Sequence, residues 1–263
     1  MAVRGSWEDL SARLISGAAM AVVGVVLIAL GGIWFAMLAA AVSGLMVWEL
    51  GRMIAPQDRR GPVALGLLSG AAVLAAWALP GIYALPLLAA PALVGAGQMP
   101  RDRVIYGAYA LAILVAGYGL ASFRGDYGMV WLIWLVLVVI ATDVAGYFAG
   151  RFIGGPKFWP RVSPKKTWSG TVAGWVSAAL IGAIFLTFTN AGRDLPWISV
   201  ALSFASQMGD VAESALKRRM GVKDSSSLLP GHGGLLDRFD GLLGAALLML
   251  LVAQIVYVPE VRF

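Results

Sequence analysis

The chain has 263 residues, 60% of them apolar, a formal net charge of +6 and a mean hydropathy of +0.82. Soluble domains run closer to about 45–50% apolar, so a water-soluble fold is excluded and the bilayer must serve as solvent. The absence of cysteine excludes disulfides and thiolate metal sites, and the basic charge is to be read by its side of the membrane, with no nucleic-acid partner expected.

The apolar runs are continuous over roughly 17–23 residues, the length of membrane helices, whereas barrel strands alternate over about ten. The pattern predicts an all-α, polytopic integral membrane protein of about nine transmembrane helices, over roughly 12–30, 33–50, 63–79, 82–98, 104–121, 128–150, 168–189, 195–216 and 239–258. Gly31-Gly32 separates the first two spans and Pro80-Gly81 the third and fourth. Pro86 and Pro91 interrupt 82–98. The first span follows Arg4 and Arg13 and ends near Ala29-Leu30-Gly31, loosely a signal-peptide pattern, but its length and Glu8-Asp9 favour a retained helix. Residues 1–125 then form an N-terminal membrane region of about five spans. Residues 126–263 form a catalytic membrane region with two polar loops, 151–167 and 217–238.

With nine spans the connections alternate. One side carries Arg4, Arg13, Arg52, Arg59, Arg60, Arg101, Arg103, Arg151, Lys157, Arg161, Lys165, Lys166, Lys217, Arg218, Arg219, Lys223 and Arg238; the other carries Arg124, Arg193 and Arg262. An excess of Lys and Arg marks the cytoplasmic side. The N-terminus is therefore expected inside, the C-terminus outside, and both polar loops in the cytoplasm.

Five of the fourteen acids lie between Ser206 and Gly241. Asp143 and Asp210 each sit roughly 10 Å inside the cytoplasmic boundary at 1.5 Å per residue, and Asp237 and Asp240 open the ninth span from the same side. An acid at such depth costs about 2.5–3.5 kcal/mol at a helix centre and signals function by default. Asp210, Glu213, Ser214 and Lys217 form one helical stripe, and Asp237, Asp240 and Gly241 repeat the spacing. Clustered carboxylates without Cys favour Mg²⁺ over Zn²⁺. Lys217, Arg218, Lys223 and Arg238 suit phosphates. Glycines in the Pro230–Gly234 stretch, Gly233 and Gly234 among them, let backbone N–H groups approach a phosphate. Ser163, Lys165, Lys166 and Thr167 make an anion site or a simple cap at a helix start. His232, the only histidine, either orients a phosphate or shapes its loop.

Ser214-Ala215-Leu216-Lys217-Arg218, then Lys223-Asp224, then His232-Gly233-Gly234-Leu235-Leu236-Asp237-Arg238-Phe239-Asp240 resembles the signature of the phosphatidate cytidylyltransferase (CDP-diacylglycerol synthase) family. Gly209-Asp210, Glu213-Ser214 and Asp143 with Ala145, Tyr147 and Gly150 fit the same family. Ser163–Trp168 resembles its SPKKTxEG segment, with Ser169 standing where that family usually has Glu. The resemblance implies that CTP and phosphatidate give CDP-diacylglycerol and pyrophosphate at the cytoplasmic face of the inner membrane. It also implies a homodimer and a divalent metal on carboxylates matching Asp210 and Asp237. The expected mechanism is metal-assisted nucleotidyl transfer with Mg²⁺, and room for a second cation. Asp240 and Asp143 are further ligands or supports. Lys217, Lys223, Lys165, Lys166 and Arg218 screen phosphate charge, and Ser214 and Asp224 lie within the substrate-binding motif.

Two other readings were open to the same residues. His232 and Asp237 form H-x₄-D, the pattern of glycerolipid acyltransferases, but that leaves Asp143 and Asp210 unused. A transporter would use intramembrane acids, yet the polar residues gather near one face and no inverted repeat is apparent. GxxxG pairs at Gly66–Gly70, Gly146–Gly150 and Gly170–Gly174 are read as helix-packing contacts.

Overall fold

The computed structural model describes the backbone of residues 2–229, 231, 233–259 and 261, with side chains from residue 15 onward. His232 and Arg262 lie outside the described residues, as do the side chains of Arg4 and Arg13. Nine α-helices follow one another among the described residues: α1 Ala2–Leu30, α2 Gly32–Ile54, α3 Gly61–Ala78, α4 Ala84–Gln98, α5 Arg103–Tyr127, α6 Met129–Phe152, α7 Trp168–Leu186, α8 Leu195–Met220 and α9 Leu236–Val252. They overlap the nine expected segments in order. Six segments, α2, α3, Gly81–Gln98, α5, α6 and α7, are long and apolar enough to cross a membrane. The protein is a helical integral membrane protein. Large apolar side chains face outward from these helices, Leu67 at 71% exposure among them, as lipid-facing surfaces require.

The proline-interrupted segment is helical for a local reason. A 3₁₀ turn over Gly81–Tyr83 leads into α4, so Pro86 falls in the first turn, where an N–H has no intrahelical partner to lose. Pro91 is a buried interior residue of α4 and gives up one helical bond.

The all-α architecture carries one short hairpin: β1 (Lys157–Trp159) pairs antiparallel with β2 (Ser163–Thr167). The ring of Phe158 meets Trp168 edge-on at 4.9 Å, which holds the hairpin against the start of α7. The second polar loop is also shorter than 217–238, because α8 runs on to Met220 and α9 starts at Leu236.

The chain divides into two compact units. One comprises Met1–Ala121 with Met220–Arg238, the other Ser122–Arg219 with Phe239–Phe263. In the first, α2 and α3 are the principal packed pair, and α2 buries Phe35, Ala36, Ala39, Ala40, Met46, Val47 and Leu50, the spacing of one helical face. In the second, α6 and α7 pack where Gly146 and Gly170 meet; a Cβ on Gly146 would lie 3.3 Å from the Gly170 carbonyl oxygen. This crossing is the packing role expected of the small-residue pairs.

Candidate functional site

In the second unit, the chemistry-bearing residues come from the hairpin, α6, α8 and α9. Successive residues of β2 point to opposite sides, so Lys165 is exposed while Lys166 is half-buried. The Lys166 ammonium pairs with Asp210 Oδ2 at 2.5 Å and donates to the Gln207 carbonyl at 3.3 Å. Gln207 is itself held to α7: its Nε2 donates to Thr171 O, and Trp175 Nε1 donates to its Oε1. Thr167 ends the strand and caps α7, its Oγ1 accepting from Gly170 N at 3.2 Å. Ser169 donates to the Gly154 carbonyl and so ties the start of α7 to the turn after α6. Ser163 begins β2 opposite Trp159.

The predicted stripe on α8 appears as two i,i+4 pairs. Ser214 Oγ donates to Asp210 Oδ1 at 3.5 Å, and Lys217 pairs with the fully buried Glu213 at 2.5 Å. Arg218 is exposed. Close backbone contact brings α9 alongside: a Cβ on Gly209 would collide with the Asp240 carbonyl oxygen, and one on Gly244 with Ala205. Asp143, Asp210 and Asp240 lie within electrostatic reach of one another, as does Lys166 of Asp143 and Lys217 of Asp240.

In the first unit, Asp237 opens α9. Its Oδ2 accepts from Gly234 N (2.7 Å), Ser225 N (2.9 Å) and Ser225 Oγ (2.9 Å). Gly233 has φ +82° and Leu229 N donates to its carbonyl; the left-handed backbone there explains one glycine of the pair without reference to any ligand. Lys223, Asp224 and Arg238 are exposed.

Sequence reasoning missed Glu49. It is fully buried in α2 and accepts from Ser225 Oγ (3.2 Å), Ser226 Oγ (2.5 Å), Leu235 N (2.8 Å) and Leu236 N (2.7 Å). The rule that singled out Asp143, an acid inside an apolar span, applied equally to Glu49. Next to it lies a cleft of about 560 Å³ bordered by Trp48, Arg52, Arg101, Ser225, Ser226 and Ser227.

Among the described residues, no three His, Cys, Asp or Glu side chains stand close enough to cage an ion by themselves. A hard divalent cation fits nonetheless. Mg²⁺ usually takes one or two carboxylates and completes its shell with water and phosphate oxygens. The donors here are carboxylate oxygens, and the Lys166 ammonium paired with Asp210 Oδ2 is what a cation there would displace.

These residues fall within a recognised sequence family. The model of the family described as "Cytidylyltransferase family" matches residues 11–256. The chain belongs to the cytidylyltransferase family. It is 31% identical over 259 residues to the phosphatidate cytidylyltransferase of Bacillus subtilis (strain 168), an alignment covering 89% of this chain and 94% of that one. It is 45% identical over 159 residues to the protein of the same name from Brucella suis biovar 1 (strain 1330), covering 58% of this chain. It is 38% identical over 165 residues to that of Helicobacter pylori (strain ATCC 700392 / 26695), covering 59% of this chain and 60% of that one. The chain spans 59% of the length of the Brucella suis relative that it matches.

Proposed function

We propose that this cytidylyltransferase-family protein is a phosphatidate cytidylyltransferase. It would convert CTP and phosphatidate to CDP-diacylglycerol and pyrophosphate on the cytoplasmic face of the inner membrane, as a homodimer of nine-span subunits with the N-terminus inside. The observation that carries the reading is the group of Asp143, Asp210 and Asp240 interleaved with Lys166 and Lys217, in a chain similar along most of its length to a phosphatidate cytidylyltransferase.

In the reaction a phosphate oxygen of phosphatidate attacks the α-phosphorus of CTP. A new P–O bond forms, the α–β anhydride bond breaks, and the electron pair leaves on pyrophosphate. The nucleophile is already an anion, so no strong general base is required. Asp210 and Asp237 would hold Mg²⁺, with Asp143 and Asp240 as further ligands or supports and with room for a second cation. When bound, the cation supplies the charge neutralisation that lets two phosphate-bearing anions meet. The chain's own groups do the rest. Lys166, presented by β2, and Lys217, on α8, supply positive charge among the carboxylates. Lys165, Arg218, Lys223 and Arg238 offer exposed cations to the departing pyrophosphate. The amides of Gly233 and Gly234 lie in the same loop as Ser225 and Asp224, and His232 would orient a phosphate or shape that loop.

The test is turnover of labelled CTP and phosphatidate by the purified protein, with and without Mg²⁺. The wild type is expected to be active, to lose activity in EDTA and to regain it with Mg²⁺; Asp210→Asn and Asp237→Asn are expected to fall to background. Full activity in both variants would remove the metal assignment.

A further inference from the structure

The signature loop does not hold its own shape. Within the first unit its hydrogen bonds converge on a residue from far upstream, Glu49 of α2. Both carboxyl oxygens of Glu49 are engaged: Oε1 by Ser226 Oγ and Leu235 N, Oε2 by Ser225 Oγ and Leu236 N. Leu235 and Leu236 supply amides at the very start of α9, two of the donors that a helix leaves without intrahelical partners. A negative group there also complements the helix dipole. Ser225 stands between the two acids, its Oγ 3.2 Å from Glu49 Oε2 and 2.9 Å from Asp237 Oδ2.

A second observation points the same way. Gly234 is buried, and a Cβ there would come within 2.7 Å of Glu49 Oε1 and closer still to Ser225 Oγ. Any larger residue at this position would displace the carboxyl group from its donors. The second glycine of the pair is therefore required first by Ser225 Oγ and then by Glu49 Oε1, the two groups bonded to each other.

We infer that Glu49 is a positioning residue: by fastening Ser225, Ser226 and the first amides of α9 to α2, it sets the place and orientation of Asp237. The inference rests on the reading of Asp237 as a cation-holding residue. Glu49 acts through the loop.

The test uses the full chain in nanodiscs, first without metal or substrate. Hydrogen–deuterium exchange of Glu49→Gln is compared with wild type. Exchange across residues 224–238 should be at least about tenfold faster, reflecting lost bonds to a charged acceptor, while α3 and α4 keep wild-type rates. Mn²⁺ binding, followed by electron paramagnetic resonance, should weaken by about 10–100-fold, the range for a lost outer partner of a metal ligand. Glu49→Asp, which keeps the charge on a shorter stem, should recover part of both. Unchanged exchange in 224–238, a rise spread equally through α3 and α4, or unaltered Mn²⁺ affinity would overturn the inference. If Glu49→Gln does not fold, Ser226→Ala removes one donor; it should speed exchange in the same segment alone, and wild-type rates there overturn the proposal. A wild type that binds Mn²⁺ but does not turn over CTP and phosphatidate defeats the proposed function and leaves the role of Glu49 to the exchange result.

Discussion

Lys166 shows how little of this site's value lies in stability. Its pair with Asp210 is partly open to solvent, with 23% and 34% of the two side chains exposed, and such pairs contribute about 0–1 kcal/mol. Lys166→Ala is therefore expected to shift thermal unfolding by less than about 1 kcal/mol while raising the KM for CTP, measured in the same detergent. A large loss of stability with unchanged KM would make Lys166 a structural residue. Asp143, Asp210 and Asp240 were legible in the sequence because an ionisable group in an apolar span has few explanations. Glu49 was not singled out, although it met the same criterion, because no second acid shares its helix. Its partners are 176 to 187 residues away, and nothing in local spacing joins them.

Among the elements, helix starts and helix crossings make separate claims. Asp58 Oδ1 accepts from the backbone N–H groups of Gly61 and Arg60, both at 2.9 Å, and so covers the start of α3. The Gly61 amide, then that of Arg60, holds the Asp58 carboxyl below its usual range. Because the folded value is depressed, its contribution is present above the unfolded value of about 3.9 and is lost as pH falls through the lower folded value. Amide exchange at Gly61 should accelerate in that acidic window, beyond the intrinsic pH trend, and Asp58→Ala should remove the extra step. At the α6–α7 crossing, where Gly146 and Gly170 meet, Gly170→Leu should destabilise by about 1–3 kcal/mol through overpacking. Gly97→Leu, with no atom within 4 Å of an added Cβ, should leave the melting temperature unchanged. Most of the helices were legible, since α2, α3, α5, α6 and α7 are continuous apolar runs. The hairpin was not: β2 is short, charged and contains Pro164, so no alternation of apolar and polar residues announces it. It depends instead on the contact of Phe158 with Trp168 and on the Thr167 cap.

For the whole molecule, the nine-span topology makes a claim about sides. Among the described residues, six segments are long and apolar enough to cross a bilayer. α8 carries Asp210, Glu213, Lys217, Arg218 and Arg219, which lower its apolar character, and α9 has 17 residues. The absence of cysteine makes the question directly testable by single-cysteine labelling. Arg59→Cys is expected to react with an impermeant maleimide from the cytoplasmic side alone and Arg193→Cys from the opposite side alone. Labelling of both from one side would overturn the nine-span topology. The division of the chain also has a bearing on biogenesis. The first unit is begun by residues 1–121 and finished only by residues 220–238. On the ribosome, α2 must therefore wait through the synthesis of α3 to α8 before the serines and amides that satisfy Glu49 exist. A nascent chain halted after α8 would hold Glu49 in a membrane helix without any of its four donors, all of which come from residues 225–236.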